Sequence, residues 1–175
     1  MTRVAAAGLA LVMIAPASAQ TGPIGSDADA CASGRGPAIR ANVVGLKDRT
    51  GRLKLELYPA TEEDFLKDDR DLIKEGKVFR RVWAATPSGN GPVTMCIRVP
   101  APGRYALLFT HDRDGRNKFN FWRDGAGFPS NQKLGRSRPK LDQALIMVGR
   151  GVATTTIQVQ YLRGLSGFGP YKPDD

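Results

Sequence analysis

The run Arg52-Leu-Lys-Leu-Glu-Leu-Tyr58 alternates polar and apolar side chains without a break, and Pro59 closes it. Successive side chains of a strand point to opposite faces, so this run predicts a strand with Leu53, Leu55 and Leu57 inward and Lys54, Glu56 and Tyr58 outward. Six more short runs read the same way: Ala38 to Leu46, Val78 to Ala84, Pro92 to Val99, Arg104 to Thr110, Gln143 to Val148 and Thr154 to Leu162. Turn formers separate them, as in Pro87-Ser-Gly-Asn-Gly91 and Pro100-Ala-Pro-Gly103. About seven strands so divided predict an all-β chain, a single antiparallel β-sandwich of the immunoglobulin or prealbumin kind. One short helix is expected to interrupt it. Thr61 with Asp64 resembles a helix cap, Phe65, Leu66, Leu72 and Ile73 recur seven apart, and Gly76 is placed to stop the run.

Residues 1–19 read as a signal peptide: Arg3 gives the positive start, Val4 to Ala15 the apolar stretch, and Ala17-Ser-Ala19 the small-residue cleavage site. The expected product is periplasmic or secreted, without a transmembrane segment. Its organisation is expected to be a flexible N-terminal arm over residues 20–37, the sandwich over 38–163 and a C-terminal tail over 164–175. In an oxidising compartment the two cysteines, Cys31 and Cys96, are expected to form one disulfide. Alternation in the 92–99 strand puts Val93, Met95, Ile97 and Val99 toward the core. Cys96 then points away from it, so the bridge would pin the arm across the outside of that strand.

Charge is concentrated in one place. The chain carries 26 Lys and Arg against 17 Asp and Glu, a formal net charge of +9. Between His111 and Lys140 there are eight basic and three acidic residues, while Ala60 to Lys77 has seven acidic and four basic. The connection after His111 reads either as a solvated loop that aids solubility or, as expected here, as an electrostatic surface for an anionic partner: a lipid headgroup, a glycan or another envelope protein. Nucleic acid suits such a loop chemically, but an exported protein does not meet it.

The same stretch carries the chain's one chemical pattern, His111-Asp-Arg-Asp-Gly-Arg-Asn-Lys-Phe-Asn-Phe-Trp-Arg-Asp124. Its expected binding residues are His111, Asp112, Asp114, Arg116, Lys118, Asn120, Trp122 and Arg123. Asp112, Asp114 and Asn120 are also the candidate ligands for a hard cation such as calcium. The spacing departs from the twelve-residue calcium loop: counted from Asp112, position five is Arg116, position six Asn117 and position twelve Arg123. No cofactor is expected on this count.

These residues also carry a resemblance. Gly103-Arg-Tyr-Ala106 leading to His111-Asp112, then Asp114-Gly115, Lys118-Phe119, Phe121-Trp122, Asp124-Gly125 and Gly127-Phe128, is similar to the bacterial exported family called domain of unknown function 2141. Leu134-Gly135, Val44-Gly45-Leu46 and Gly51 to Tyr58 extend the likeness over roughly Ile39 to Leu162. Arg113, Arg116, Asn117 and Asn120 depart from the family pattern. The resemblance implies fold and export and assigns no activity.

A Ser-His-Asp hydrolase would need His111 and Asp112 to work with Ser130 or Ser137, yet no nucleophile-elbow context surrounds either serine. His111 continues the parity of Tyr105, Leu107 and Phe109, so it reads as an end-of-strand histidine hydrogen-bonded to loop backbone. The expected function is a non-catalytic envelope or extracellular binding module acting through the basic, aromatic His-Asp loop. The alternative is a divalent-metal-dependent module or hydrolase centred on His111, Asp112 and Asp114.

Overall fold

The computed structural model describes residues 22–171, and the expected signal peptide lies outside them. Among the described residues, ten strands form two sheets. The smaller sheet has β1 (Ala38–Val44) between β4 (Val93–Arg98) and β8 (Val152–Gln158). The larger runs β10 (Phe168–Pro170), β9 (Gln160–Leu162), β6 (Gly125–Gly127), β5 (Gly103–Asp112), β2 (Arg52–Pro59), β3 (Arg80–Ala85). β7 (Leu145–Val148) shares with β6 the edge of β5 that β2 leaves free. The fold is an all-β sandwich, mainly antiparallel; β1 and β8 are paired parallel.

The apolar faces meet as alternation requires. Leu53, Leu55 and Leu57 of β2 and Leu107 and Phe109 of β5 pack against Ile39 and Val43 of β1 and Met95 and Ile97 of β4, all buried in one cluster. The stretch expected as one strand from Thr154 to Leu162 is two. It leaves the small sheet after Gln158 and joins the large one at Gln160, with Val159 buried at the crossing and its amide donating to the Val44 carbonyl at 3.0 Å. Strand β6 carries no alternation signal because its two glycines are needed for close approach. A Cβ on Gly125 would lie 2.5 Å from the Tyr161 ring, and one on Gly127 2.5 Å from Ile157.

The helix differs from expectation. Thr61 and Asp64 do hydrogen-bond, at 2.8 Å, but they close a turn that ends at Leu66, whose φ of 62° breaks the chain. Helix α2 spans only Asp69–Lys74, where the Asp68 side chain accepts the Arg70 amide as N-cap. Asp69 and Asp71 weaken a helix interior, but here they occupy its first turn, beside the positive end of the dipole. Gly76, at φ 67°, stops it.

Structure also extends past both ends of the 38–163 span. Residues 164–170 form a 3-10 turn (Gly164–Ser166) and β10, paired with β9. Before β1, helix α1 (Ala28–Ala32) lies on the outer face of the small sheet. Cys31 and Cys96 are disulfide-bonded, with Cα atoms 5.9 Å apart, and Ala30 and Ala38 pack around the bridge. Buried Asp27 accepts the Arg98 amide at 2.8 Å and pairs with Arg80 at 3.1 Å. A third helix, α3 (Leu141–Ala144), stands where Gln143 was expected to begin a strand. No helix among the described residues is long and apolar enough to cross a membrane.

Candidate functional site

Strand β5 ends at His111-Asp112, and the two side chains leave it on opposite faces. His111 points into the sandwich and is fully buried. Its Nε2 lies 2.8 Å from the Thr50 carbonyl, which can only accept, so the proton sits on Nε2. Nδ1 then accepts from the Tyr161 hydroxyl at 2.7 Å, and that oxygen accepts the Lys47 amide at 3.0 Å. Both ring nitrogens are engaged, and burial holds the imidazole pKa below its ordinary value. His111 therefore ties the Lys47–Gly51 turn to β5 and β9. Gly51 completes the fit: its φ is 70°, and a side chain there would run into the Asp112 carbonyl.

Asp112 faces the connection. Its Oδ2 accepts from Arg52 Nε at 3.0 Å and from the Asn117 amide at 3.1 Å, while the buried Oδ1 has no partner among the described residues. Asp124 is likewise buried and takes the Arg113 amide at 2.9 Å and the Asn120 amide at 2.8 Å. Asp114 accepts Asn120 Nδ2 at 3.0 Å, which lowers its pKa. Asp112, Asp114 and Asp124 each bring a carboxylate oxygen within 4.8 Å of the others. Arg113 braces the loop from the far side, pairing with Asp48 and donating to the Arg123 carbonyl at 2.9 Å. Burial works against the Asp48 charge, but the hydrogen bonds from Arg113 and Thr50 outweigh it and bring the carboxyl to about 2.

The residue types expected to bind thus divide into two groups. His111, Asp112, Asp114 and Asn120 form the loop's internal frame. Arg116, Lys118, Trp122 and Arg123 stand outside it, with Trp122 79% exposed. No ion pair among the described residues involves Arg116, Lys118 or Arg123 within 4.0 Å. Phe119 and Phe121 lean on Phe168 of β10, at ring-centroid distances of 6.0 and 5.0 Å.

Sequence reasoning missed the floor beneath this loop. Lys54 and Glu56 do point away from the sandwich core, yet they are only 6% and 2% exposed because the connections before and after β6 fold back over the outer face. Glu56 sits between two cations: Oε2 is 3.1 Å from Lys54 Nζ, and Oε1 accepts Arg81 Nε at 2.7 Å. Arg81 also reaches Asp69 at 2.7 Å. Above them a cleft of about 590 Å³ opens between the sheet and the connection. Tyr58, Phe65, Leu72, Phe128 and Leu141 close the layer at one end of it as a second apolar cluster.

The family model described as "uncharacterized protein conserved in bacteria (DUF2141)" matches residues 41–157. The chain belongs to this family. No curated protein and no solved structure matches it. The DUF2141 span runs from within β1 to within β8, so it takes in His111, the carboxylate frame, the exposed basic residues and the buried floor. Cys31, Tyr161 and Phe168 lie outside it.

Proposed function

We propose that this DUF2141 chain is an exported, non-catalytic binding module of the envelope or extracellular space that docks an anionic component through the tip of its basic, aromatic loop. One observation carries the reading: Trp122 is 79% exposed, and Arg116, Lys118 and Arg123 around it are exposed cations without ion-pair partners among the described residues. An indole beside several unspent cations attracts an anion from solution and then makes apolar contact with it. The anchored base of the loop favours recognition, since little ordering entropy remains to be lost on binding. The 1–19 segment and the Cys31–Cys96 bridge support export to an oxidising compartment.

The probe is co-sedimentation with vesicles containing phosphatidylglycerol, compared with neutral phosphatidylcholine. Binding at low salt is expected to fall away near 1 M salt, where the Debye length is about 3 Å, and to be weakened by both Arg116→Glu and Trp122→Ala. Absence of binding at low ionic strength, or binding that survives both substitutions, contradicts the reading. A second reading, a divalent cation such as calcium at the loop frame, is favoured by the convergence of Asp112, Asp114 and Asp124. A rise of several degrees in melting temperature on adding calcium or zinc ions would support it; under the docking reading neither ion shifts the midpoint.

A further inference from the structure

The cleft under the loop lies on a face that a sandwich ordinarily either wets or fills. Here the connections around β6 arch over the face and leave a cleft whose two sides differ in chemistry. On the β2 and β3 side the floor is the buried row Lys54, Glu56 and Arg81. On the β5 and β6 side it is Leu108, Ala126 and Phe128, with Phe121 and Phe168 above. A volume near 590 Å³ is in the range that holds a single drug-sized molecule.

Charge selects the sign of such a molecule. Six basic residues line the cleft against three acidic ones: Lys54, Lys67, Arg81, Lys118, Arg136 and Arg138 against Glu56, Asp68 and Asp69. At the floor, Lys54 has one carboxylate, and that carboxylate is shared with Arg81. An ammonium has three N–H donors, so Lys54, with Glu56 at 3.1 Å and the Trp83 ring 5.4 Å away, retains hydrogen-bonding capacity at a side chain only 7% exposed. Thr110, its direct partner across the strand pair, adds a buried hydroxyl to the same lining.

We propose that this cleft binds a small amphipathic anion, its apolar body against Leu108, Ala126 and Phe128 and its charged group at Lys54. The cleft and the loop tip share Lys118, and the cleft's Phe121 packs on Trp122 at 5.7 Å, but Arg116, Trp122 and Arg123 do not line the cleft, so the probe and vesicle assays read different residues. Its failure is therefore distinguishable from failure of the vesicle reading.

The test uses two fluorescent probes with the same rings, 8-anilinonaphthalene-1-sulfonate and the uncharged N-phenyl-1-naphthylamine. The sulfonate is expected to bind one to one, about tenfold or more tighter than the neutral probe. Lys54→Met is expected to remove about tenfold of the sulfonate's affinity and leave the neutral probe unchanged, with Glu56 still held by Arg81. Leu108→Trp is expected to abolish binding of both by filling the floor; Ala126→Leu adds bulk to the same floor and gives an independent result should the tryptophan variant lose its cooperative melt. Arg116→Glu with Trp122→Ala is expected to leave both affinities intact. Equal affinity for the two probes, or sulfonate binding that survives both Lys54→Met and the floor-filling variants, overturns the proposal.

Discussion

The two sheets cover their outer faces by different means. Over one end of the small sheet, a five-residue helix is drawn down by a disulfide and buries Ala30, Cys31, Ala38 and Cys96, while the polar Thr154 and Thr156 farther along the same face stay exposed. Over the large sheet, loops fixed at their bases by Asp112, Asp124 and Asp64 span the face without filling it. A covalent, side-chain-poor cover serves stability. A hydrogen-bonded cover with charges left beneath it costs stability and gains a cleft, which is the trade expected where a fold supports a binding site.

The largest expected effect breaks the first cover. Replacing both cysteines by alanine releases a 65-residue loop and should cost about 4 kcal/mol in the chain-entropy model, read by urea unfolding. Probe affinity of the folded fraction should not change. Coupled loss of both would mean that the covers are not independent.

The second effect probes the buried charges of the other cover. Glu56→Gln leaves Lys54 without its carboxylate at a side chain 7% exposed, and about 3 kcal/mol of stability should be lost. Adding Lys54→Met should recover part of it. A cost within a few tenths of a kcal/mol would show that water already reaches this row.

A smaller effect lies at the joint of the two regions. Burial holds the His111 pKa below the ordinary value near 6.5, so the native state keeps the ring neutral while the unfolded chain takes up a proton. This contribution is complete above about pH 6.5 and is lost as pH falls below it. Stability should therefore decline as pH falls below about 6.5, and His111→Gln should flatten that slope. An unchanged slope would contradict the neutral, doubly bonded ring.

Legibility in the sequence follows the same division. Alternation revealed β2, β4 and the inward parity of His111, because one face of each strand meets one core. It also gave the outward Cys96, and so the face on which the bridge, expected from two cysteines in an exported chain, would lie. It placed Lys54 and Glu56 outward but not under a cover, since a polar residue on an outward face looks the same whether water or another layer lies beyond. The missed signal is in β5, where Ala106 and Leu108 make the outward face apolar as well. Such a run marks a strand covered on both sides. The sheet switch at Val159 left no trace because inward residues stay inward across it, and β6 left none because its glycines serve close approach.

The contrast between the covers is tested most directly by amide chemical shifts of the labelled protein titrated with 8-anilinonaphthalene-1-sulfonate. Perturbations are expected at Lys54 to Tyr58, Leu108 to Thr110, Asn117 to Phe121 and Ala126 to Phe128, with none in α1 or at Met95 to Ile97. Shifts centred on the disulfide-bound helix, or spread evenly over both sheets, would contradict the account.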